Sequence, residues 1–357
     1  MEHKERRLGI WERYLTLWVA LCIGAGTGLG RLVPQISDTL AELEIAHVSI
    51  PVAVCLFAMI YPIMVQISWE EIVSAIKSPR PIALTLFANW VVKPFSMALF
   101  AWIFLSLVFG SFLTSEQIED YRAGMILLGV APCTAMVLVW SYLARGNMGH
   151  TLVMTAINSL TMVFLYAPLA VLLLGISGIK VPWDTIAISV AIYIVTPLVA
   201  GYITRNWALK RKGAEWFETR LVPPLAKASI VALLITLVVL FSFQGYVIIE
   251  QPSIIGMITL GILVNIIVVF GATYIAARML RLTYEDASPA AIIAGSNHFE
   301  VAIAVATTLF GVESGAALAA VVGVLTEVPI MLFLVELCKA TKGTFPKAVP
   351  EKIPAVP

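Results

Sequence analysis

The sequence predicts an all-α integral membrane protein of ten transmembrane helices, arranged as two inverted five-helix repeats. Three observations carry the prediction: the apolar content, the alternation of basic and acidic loops, and two apolar spans that break at matching places. The chain of 357 residues is 60% hydrophobic and 13% charged, with a mean hydropathy of +0.94. About 20 apolar residues cross a bilayer as helix. Ten such stretches lie near residues 14–33, 48–66, 82–109, 122–143, 150–175, 184–204, 222–243, 253–278, 286–311 and 314–338. None alternates as barrel strands do, so helices must satisfy the backbone in lipid.

Span one follows the charged stretch Met1–Arg13, which runs straight into a full-length apolar segment and so does not read as a cleavable signal peptide. Its glycines Gly24, Gly26, Gly28 and Gly30 follow no strand, which excludes a nucleotide fingerprint and leaves close helix packing. Span three carries Asn89 and, four residues on, Lys93 before Pro94. Span four breaks at Ala131-Pro132-Cys133-Thr134-Ala135, and span five carries Asn158. The second half echoes this order: Asn265 in span eight, a break at Gly295-Ser296-Asn297-His298-Phe299-Glu300 in span nine, and Glu327 in span ten. Interrupted hydrophobic segments at corresponding places of two halves point to a transporter's binding site.

Charge fixes the orientation. Lys4, Arg6, Arg7 and Arg13 precede span one, and alternate loops carry Lys77 and Arg80, Arg145, Arg205 to Arg220, and Arg278 and Arg281. Lys339, Lys342, Lys347 and Lys352 follow span ten, whereas the intervening loops hold Asp38, Glu42, Glu44, Glu116, Glu119, Asp120, Glu250 and Glu313. The positive-inside bias places both termini in the cytoplasm, which requires an even number of spans. The basic stretch divides the chain into residues 1–204 (the first repeat, spans one to five, plus span six), a cytoplasmic linker 205–221, residues 222–341 with spans seven to ten, and a tail 342–357. The tail, with Pro346, Pro350, Pro354 and Pro357, is expected to lie loose in the cytoplasm. Five spans per half make the second half enter from the opposite side, so the repeat is inverted and its two breaks are expected to cross, bringing Cys133 near Glu300.

Ionisable and reactive groups at membrane depth are costly, and so are functional candidates. Pro132 removes a helical hydrogen bond beside Cys133, and the positive end of the following half-helix favours a thiolate. Cys22, Cys55 and Cys338 fit no zinc spacing or disulfide framework and read as small hydrophobes. Glu300 is a proton carrier by position, and Glu327 is a second proton-site candidate. His298 and Glu300, two apart, share a surface only if the helix unwinds between them. Lys93 either snorkels to the cytoplasm or pairs with Glu300 or Glu327. No cofactor is implied. A near-neutral net charge of +1 argues against nucleic-acid binding. An intramembrane zinc protease would need His-Glu-x-x-His, but Phe-Glu-Val-Ala follows His298. A membrane sensor would be expected to carry a soluble output domain, and the chain contains none of useful size.

The run Ala131 to Val137, with Trp140-Ser141 and Ala144-Arg145-Gly146-Asn147, resembles the fourth span of the Acr3 arsenite efflux permeases. Gly295 to Ala302 resembles their ninth span. The likeness covers essentially the whole chain and implies the ten-helix fold of the bile acid/sodium symporter superfamily. In that fold broken spans four and nine cross in a core domain that moves against a panel domain. It implies arsenite export from the cytoplasm across the plasma membrane in exchange for protons; no motif decides between arsenite and antimonite. It also assigns roles to Cys133 and Glu300. Trivalent arsenic is soft and matches sulfur, while Asn297, His298, Ser296, Thr134 and Asn89 are the polar candidates for its hydroxyls. A sodium-coupled organic-anion symporter is the alternative, with sodium at Asn158, Glu300 and Glu327. It leaves the thiol at the break unexplained.

Overall fold

The computed structural model describes residues 15–32, 44–45, 48–67, 79–134 and 136–346. The charged residues Lys4, Arg6, Arg7, Arg13, Asp38, Glu42, Lys77, Lys347 and Lys352, together with Ala135 of the first motif, lie outside them. Apart from a two-residue antiparallel pair, Glu44–Ile45 with Val48–Ser49, the described elements are helical. Helix α1 spans Leu15–Leu32, α2 Ile50–Gln66 and α3 Pro79–Val108. Two shorter helices follow, α4 over Ser115–Val130 and α5 over Met136–Leu143. Then come α6 (Met148–Ile176), α7 (Trp183–Lys212) and α8, which starts at Ala214–Trp216 and continues over Val222–Glu250. Helix α9 covers Pro252–Met279, α10 Tyr284–Gly295, α11 Phe299–Phe310 and α12 Gly315–Thr341. Among the described residues six of these, α3, α6, α7, α8, α9 and α12, are long and apolar enough to cross a membrane. The chain is a multi-pass membrane protein.

Local chemistry sets the ends and the irregularities. Thr114 opens α4 with a capping box, its Oγ1 accepting from the Gln117 amide at 3.2 Å while Gln117 Oε1 accepts from the Thr114 amide at 3.0 Å. Asn147 and Ser314 cap α6 and α12 in the same way, each accepting an amide at 3.1 Å. Three of the four π turns among the described residues, Ala88–Val92, Ala191–Val195 and Phe217–Leu221, each end two residues before a proline: Pro94, Pro197 and Pro223; the fourth, Trp102–Val108, does not. Proline removes a helical donor, and a wider turn lets the freed carbonyls find partners without breaking the helix.

Packing sorts the helices into two groups. In the first, α8 lies along α1 and α2, and α2 along α7. In the second, α4 packs on α3, α11 and α12, and α9 on α3, α10 and α12. Helix α12 is central to the latter, with 72% of its most apolar stretch buried, against 28% for lipid-facing α3. The glycine series on α1 does half of what its spacing predicts. A Cβ at Gly26 would stand 2.5 Å from the Val238 carbonyl oxygen, and one at Gly30 2.1 Å from that of Ser242. Those two glycines let α1 and α8 touch backbone to backbone. Gly24 and Gly28 face open space.

The basic stretch 205–221 is helical, interrupted at Gly213, whose φ of 84° only glycine adopts freely. One expectation changes. The tail is not loose where it begins. Lys342 Nζ pairs with Glu285 at 3.0 Å and lies over the Tyr284 ring, while Phe345 is buried against Tyr274 and Tyr284. Apolar contact area outweighs the breaking tendency of Pro346 there.

Candidate functional site

Helix α4 ends at Ala131, whose backbone is extended because Pro132 cannot continue the hydrogen-bond ladder. Helix α10 ends at Ser296, also extended, before α11 restarts at Phe299. The two extended segments cross. Pro132 and Asn297 form an antiparallel bridge, and the His298 amide donates to the Ala131 carbonyl at 2.8 Å. Each break thereby satisfies backbone groups that the other leaves free, which is what an unwound segment at membrane depth requires.

Two side chains from long helices hold the crossing. From α6, Asn158 Nδ2 donates to the Cys133 carbonyl at 3.2 Å, and its Oδ1 accepts from Asn89 Nδ2 of α3 at 3.2 Å. From α12, Glu327 accepts from the Ser296 hydroxyl with one oxygen and from the Asn297 amide, at 3.0 Å, with the other. Asn158 clamps the first break, and Glu327, joined by the Lys93 ammonium on the Ser296 carbonyl, clamps the second.

The thiol of Cys133, 2% exposed, lies in hydrogen-bonding contact with the Ser296 hydroxyl and with the Val137 amide at the start of α5. Glu327, Glu300 and Lys93 are all within its electrostatic range. Lys93 is fully buried and neither snorkels nor binds a carboxylate directly: its Nζ donates to the Ser296 carbonyl at 2.8 Å. The π turn before Pro94 and the length of the lysine chain direct it inward. His298 stands at the head of α11 with a non-helical backbone, so its Nδ1 reaches Glu300 Oε2 at 2.7 Å.

Several candidate residues retain unused capacity. The Thr134 hydroxyl, both amide atoms of Asn297 and the Oδ1 of Asn89 are buried without a protein partner. Buried polar atoms are normally satisfied, so this cluster is competent to bond a small polar guest. Asn265 does not join it; its Nδ2 donates to Ser96 Oγ at 2.7 Å on α3. Among the described residues no three His, Cys, Asp or Glu side chains converge on a metal position.

A crevice lies between the two helix groups. It is lined by Ile60 and Met64 of α2, Tyr193 and Ile194 of α7, Ser159 and Met162 of α6, and by Thr134, His298 and Val301. Among its lining residues, Thr134 adjoins Cys133 and Val301 adjoins Glu300 in the chain. Sequence reading missed Ser159, Met162 and Tyr193. Ordinary serine, methionine and tyrosine residues in apolar spans carry no local signal, and their role arises only where four helices meet. Asn158 was legible as a mid-span polar residue, but not as the clamp on Cys133.

Residues 53–251 match the model of the Sodium Bile acid symporter family. Over nearly its full length the chain is similar to three curated proteins. It is 52% identical to an uncharacterized transporter, slr0944, of Synechocystis sp., covering 97% of this chain and 92% of that one. It is 44% identical to the arsenical-resistance protein Acr3 of Alkaliphilus metalliredigens, covering 98% of each chain. It is 32% identical to the arsenical-resistance protein Acr3 of Corynebacterium glutamicum, covering 93% and 90%. A shared family model, full-length similarity and the two broken segments lead to one assignment: the chain belongs to the Sodium Bile acid symporter family, alongside the Acr3 arsenical-resistance proteins.

Proposed function

We propose that this chain exports arsenite, and its heavier analogue antimonite, from the cytoplasm across the plasma membrane in exchange for protons. The observation that carries the reading is the crossing of the two breaks, which puts one thiol, Cys133, beside Ser296 and within range of Glu300, Glu327 and Lys93. A single soft ligand suits a transporter of trivalent arsenic, which must release what it binds. The arsenical-resistance relatives supply the substrate class.

In this reading the chain crosses the membrane ten times, with both termini in the cytoplasm, as two inverted repeats. The four-helix group is the panel and the larger group the core. The packing pattern supports the repeat, because it survives exchange of the halves: α1 on α8 answers to α7 on α2, and α3 on α4 to α9 on α10. Asn158 and Glu327 are partners under the same exchange.

Neutral arsenite is As(OH)3. Binding forms one S–As bond and breaks one As–O bond; the thiol proton leaves with the displaced hydroxide as water, giving R–S–As(OH)2. Release reverses each step. The remaining hydroxyls meet Thr134 and Asn297, whose polar atoms are unpaired, together with Ser296, His298 and Asn89. Substrate binds while Glu300 is deprotonated, and a proton arriving from outside at Glu300 drives the exchange backwards. Glu327 and Lys93 tune that proton site by holding the break at Ser296. The sodium-coupled reading is weaker, since Asn158 and Glu327 are engaged on opposite breaks.

The test is arsenite uptake into everted membrane vesicles with and without a proton gradient. Gradient-driven uptake in the wild type, lost in Cys133→Ser, is expected. Glu300→Gln retains arsenite binding and loses the gradient response. Uptake that survives Cys133→Ser would move the substrate site to the polar groups around Glu300, and no wild-type uptake would sink the arsenite reading.

A further inference from the structure

We propose that Tyr193 is the outer gate of the transport site, closing it by a hydrogen bond from the panel to the core. Tyr193 sits in the π turn of α7 and is 2% exposed. It lines the crevice below, and its hydroxyl lies 3.3 Å from Thr308 Oγ1 on α11. Thr308 already donates its proton to the Ala304 carbonyl at 2.8 Å. The tyrosine is therefore the donor across the interface.

The position of the bond gives the gate its side. Helix α7 ends in Lys210, Arg211 and Lys212, the cytoplasmic end by the positive-inside bias, and its Arg205 holds the Gln66 carbonyl of α2 at 3.3 Å. Met64, two residues before Gln66, lines the crevice towards that side. Thr308 lies two residues before the opposite end of α11, at Phe310. The crevice points to the cytoplasm, and the Tyr193–Thr308 bond crosses the panel–core interface outside it. Export requires this bond to break when the core moves. The π turn lets α7 supply an inward-pointing tyrosine just before Pro197 without unwinding. The direction assigned here rests on the export reading; the contact itself does not.

The experiment places a reporter, Val301→Cys, in the crevice wall and labels it with a membrane-impermeant thiol reagent in right-side-out and everted vesicles. Labelling at residue 301 is read by peptide mass spectrometry, so the other cysteines do not interfere. Tyr193→Phe leaves Thr308 bonded to Ala304 and creates no buried orphan. Thr308→Val removes the acceptor and serves as the second variant. Both are expected to raise labelling from outside by about two- to tenfold, the population shift that one net hydrogen bond commands, and to lower it from the cytoplasmic side. Unchanged outside labelling in both, or a change in only one, overturns the gate. No arsenite is used, so a labelling shift without arsenite transport keeps the gate and discards the substrate, and the converse result does the opposite.

Discussion

Glu327 is the residue on which the shape of the second break depends. Its two oxygens take the Ser296 hydroxyl and the Asn297 amide, and both residues are fully buried. Glu327→Ala leaves two buried donors without an acceptor, at about 1–3 kcal/mol each. The Ser296 hydroxyl can turn to Cys133 Sγ, which lowers the sum to about 2–4 kcal/mol. Glu327→Gln behaves differently. Its carbonyl oxygen can accept the Asn297 amide while its NH2 donates to Ser296 Oγ, so the geometry survives. What it loses is the charge assistance to two hydrogen bonds, about 1 kcal/mol, offset by no longer burying a charge. Thermal unfolding in detergent, followed with a thiol-reactive fluorophore, reads this directly because Cys133 and Cys338 are buried in the folded protein. Glu327→Ala is expected to lower the midpoint by on the order of 5 °C, and Glu327→Gln by no more than about 2 °C. If Gln falls as far as Ala, the charge rather than the clamp stabilises the crossing. If Ala unfolds with the wild type, the clamp is irrelevant to the fold.

Two further outcomes follow from the geometry. Gly30→Ala puts a methyl 2.1 Å from the Ser242 carbonyl oxygen and is expected to cost about 1–3 kcal/mol by forcing α1 off α8, whereas Gly28→Ala meets open space and leaves the same unfolding midpoint unchanged. Burial raises the pKa of Asp120, Glu116 and Glu119 add to the rise, and the Gly315 amide, 3.2 Å from its Oδ2, partly offsets it. A carboxyl with a raised folded pKa is penalised in its ionised form, so the penalty grows as pH rises above the ordinary carboxyl pKa and is complete once pH exceeds the folded one. Asp120→Asn keeps the acceptor for Gly315, so it should unfold later than the wild type at pH 7. The gap should close below about pH 4, where both proteins are neutral there. A constant gap across that range would refute the assignment.

Much of the candidate site was legible because the membrane makes polar residues conspicuous. Cys133, Glu300 and Glu327 stand out against apolar spans for a thermodynamic reason, and proline beside the first and a polar run before the second mark where the helices must break. The pairing of Asn158 with Glu327 was visible as an echo between halves. Its meaning was not, because a clamp is defined by the carbonyl or amide it reaches. Lys93 shows the same limit. Its burial was readable, yet its partner is a backbone carbonyl, the one group every residue shares.

The sequence by itself determined that this is a helical membrane protein with two interrupted spans, since hydropathy and backbone satisfaction in lipid act on local segments. Only the tertiary structure decided that the breaks pair as a β-bridge, that Ser296 stands between thiol and carboxylate, that Tyr193 meets Thr308, and that Phe345 docks the tail. Those contacts join residues up to 165 apart (132 and 297), and their free energy depends on which surfaces meet. The composition of either span alone does not specify that.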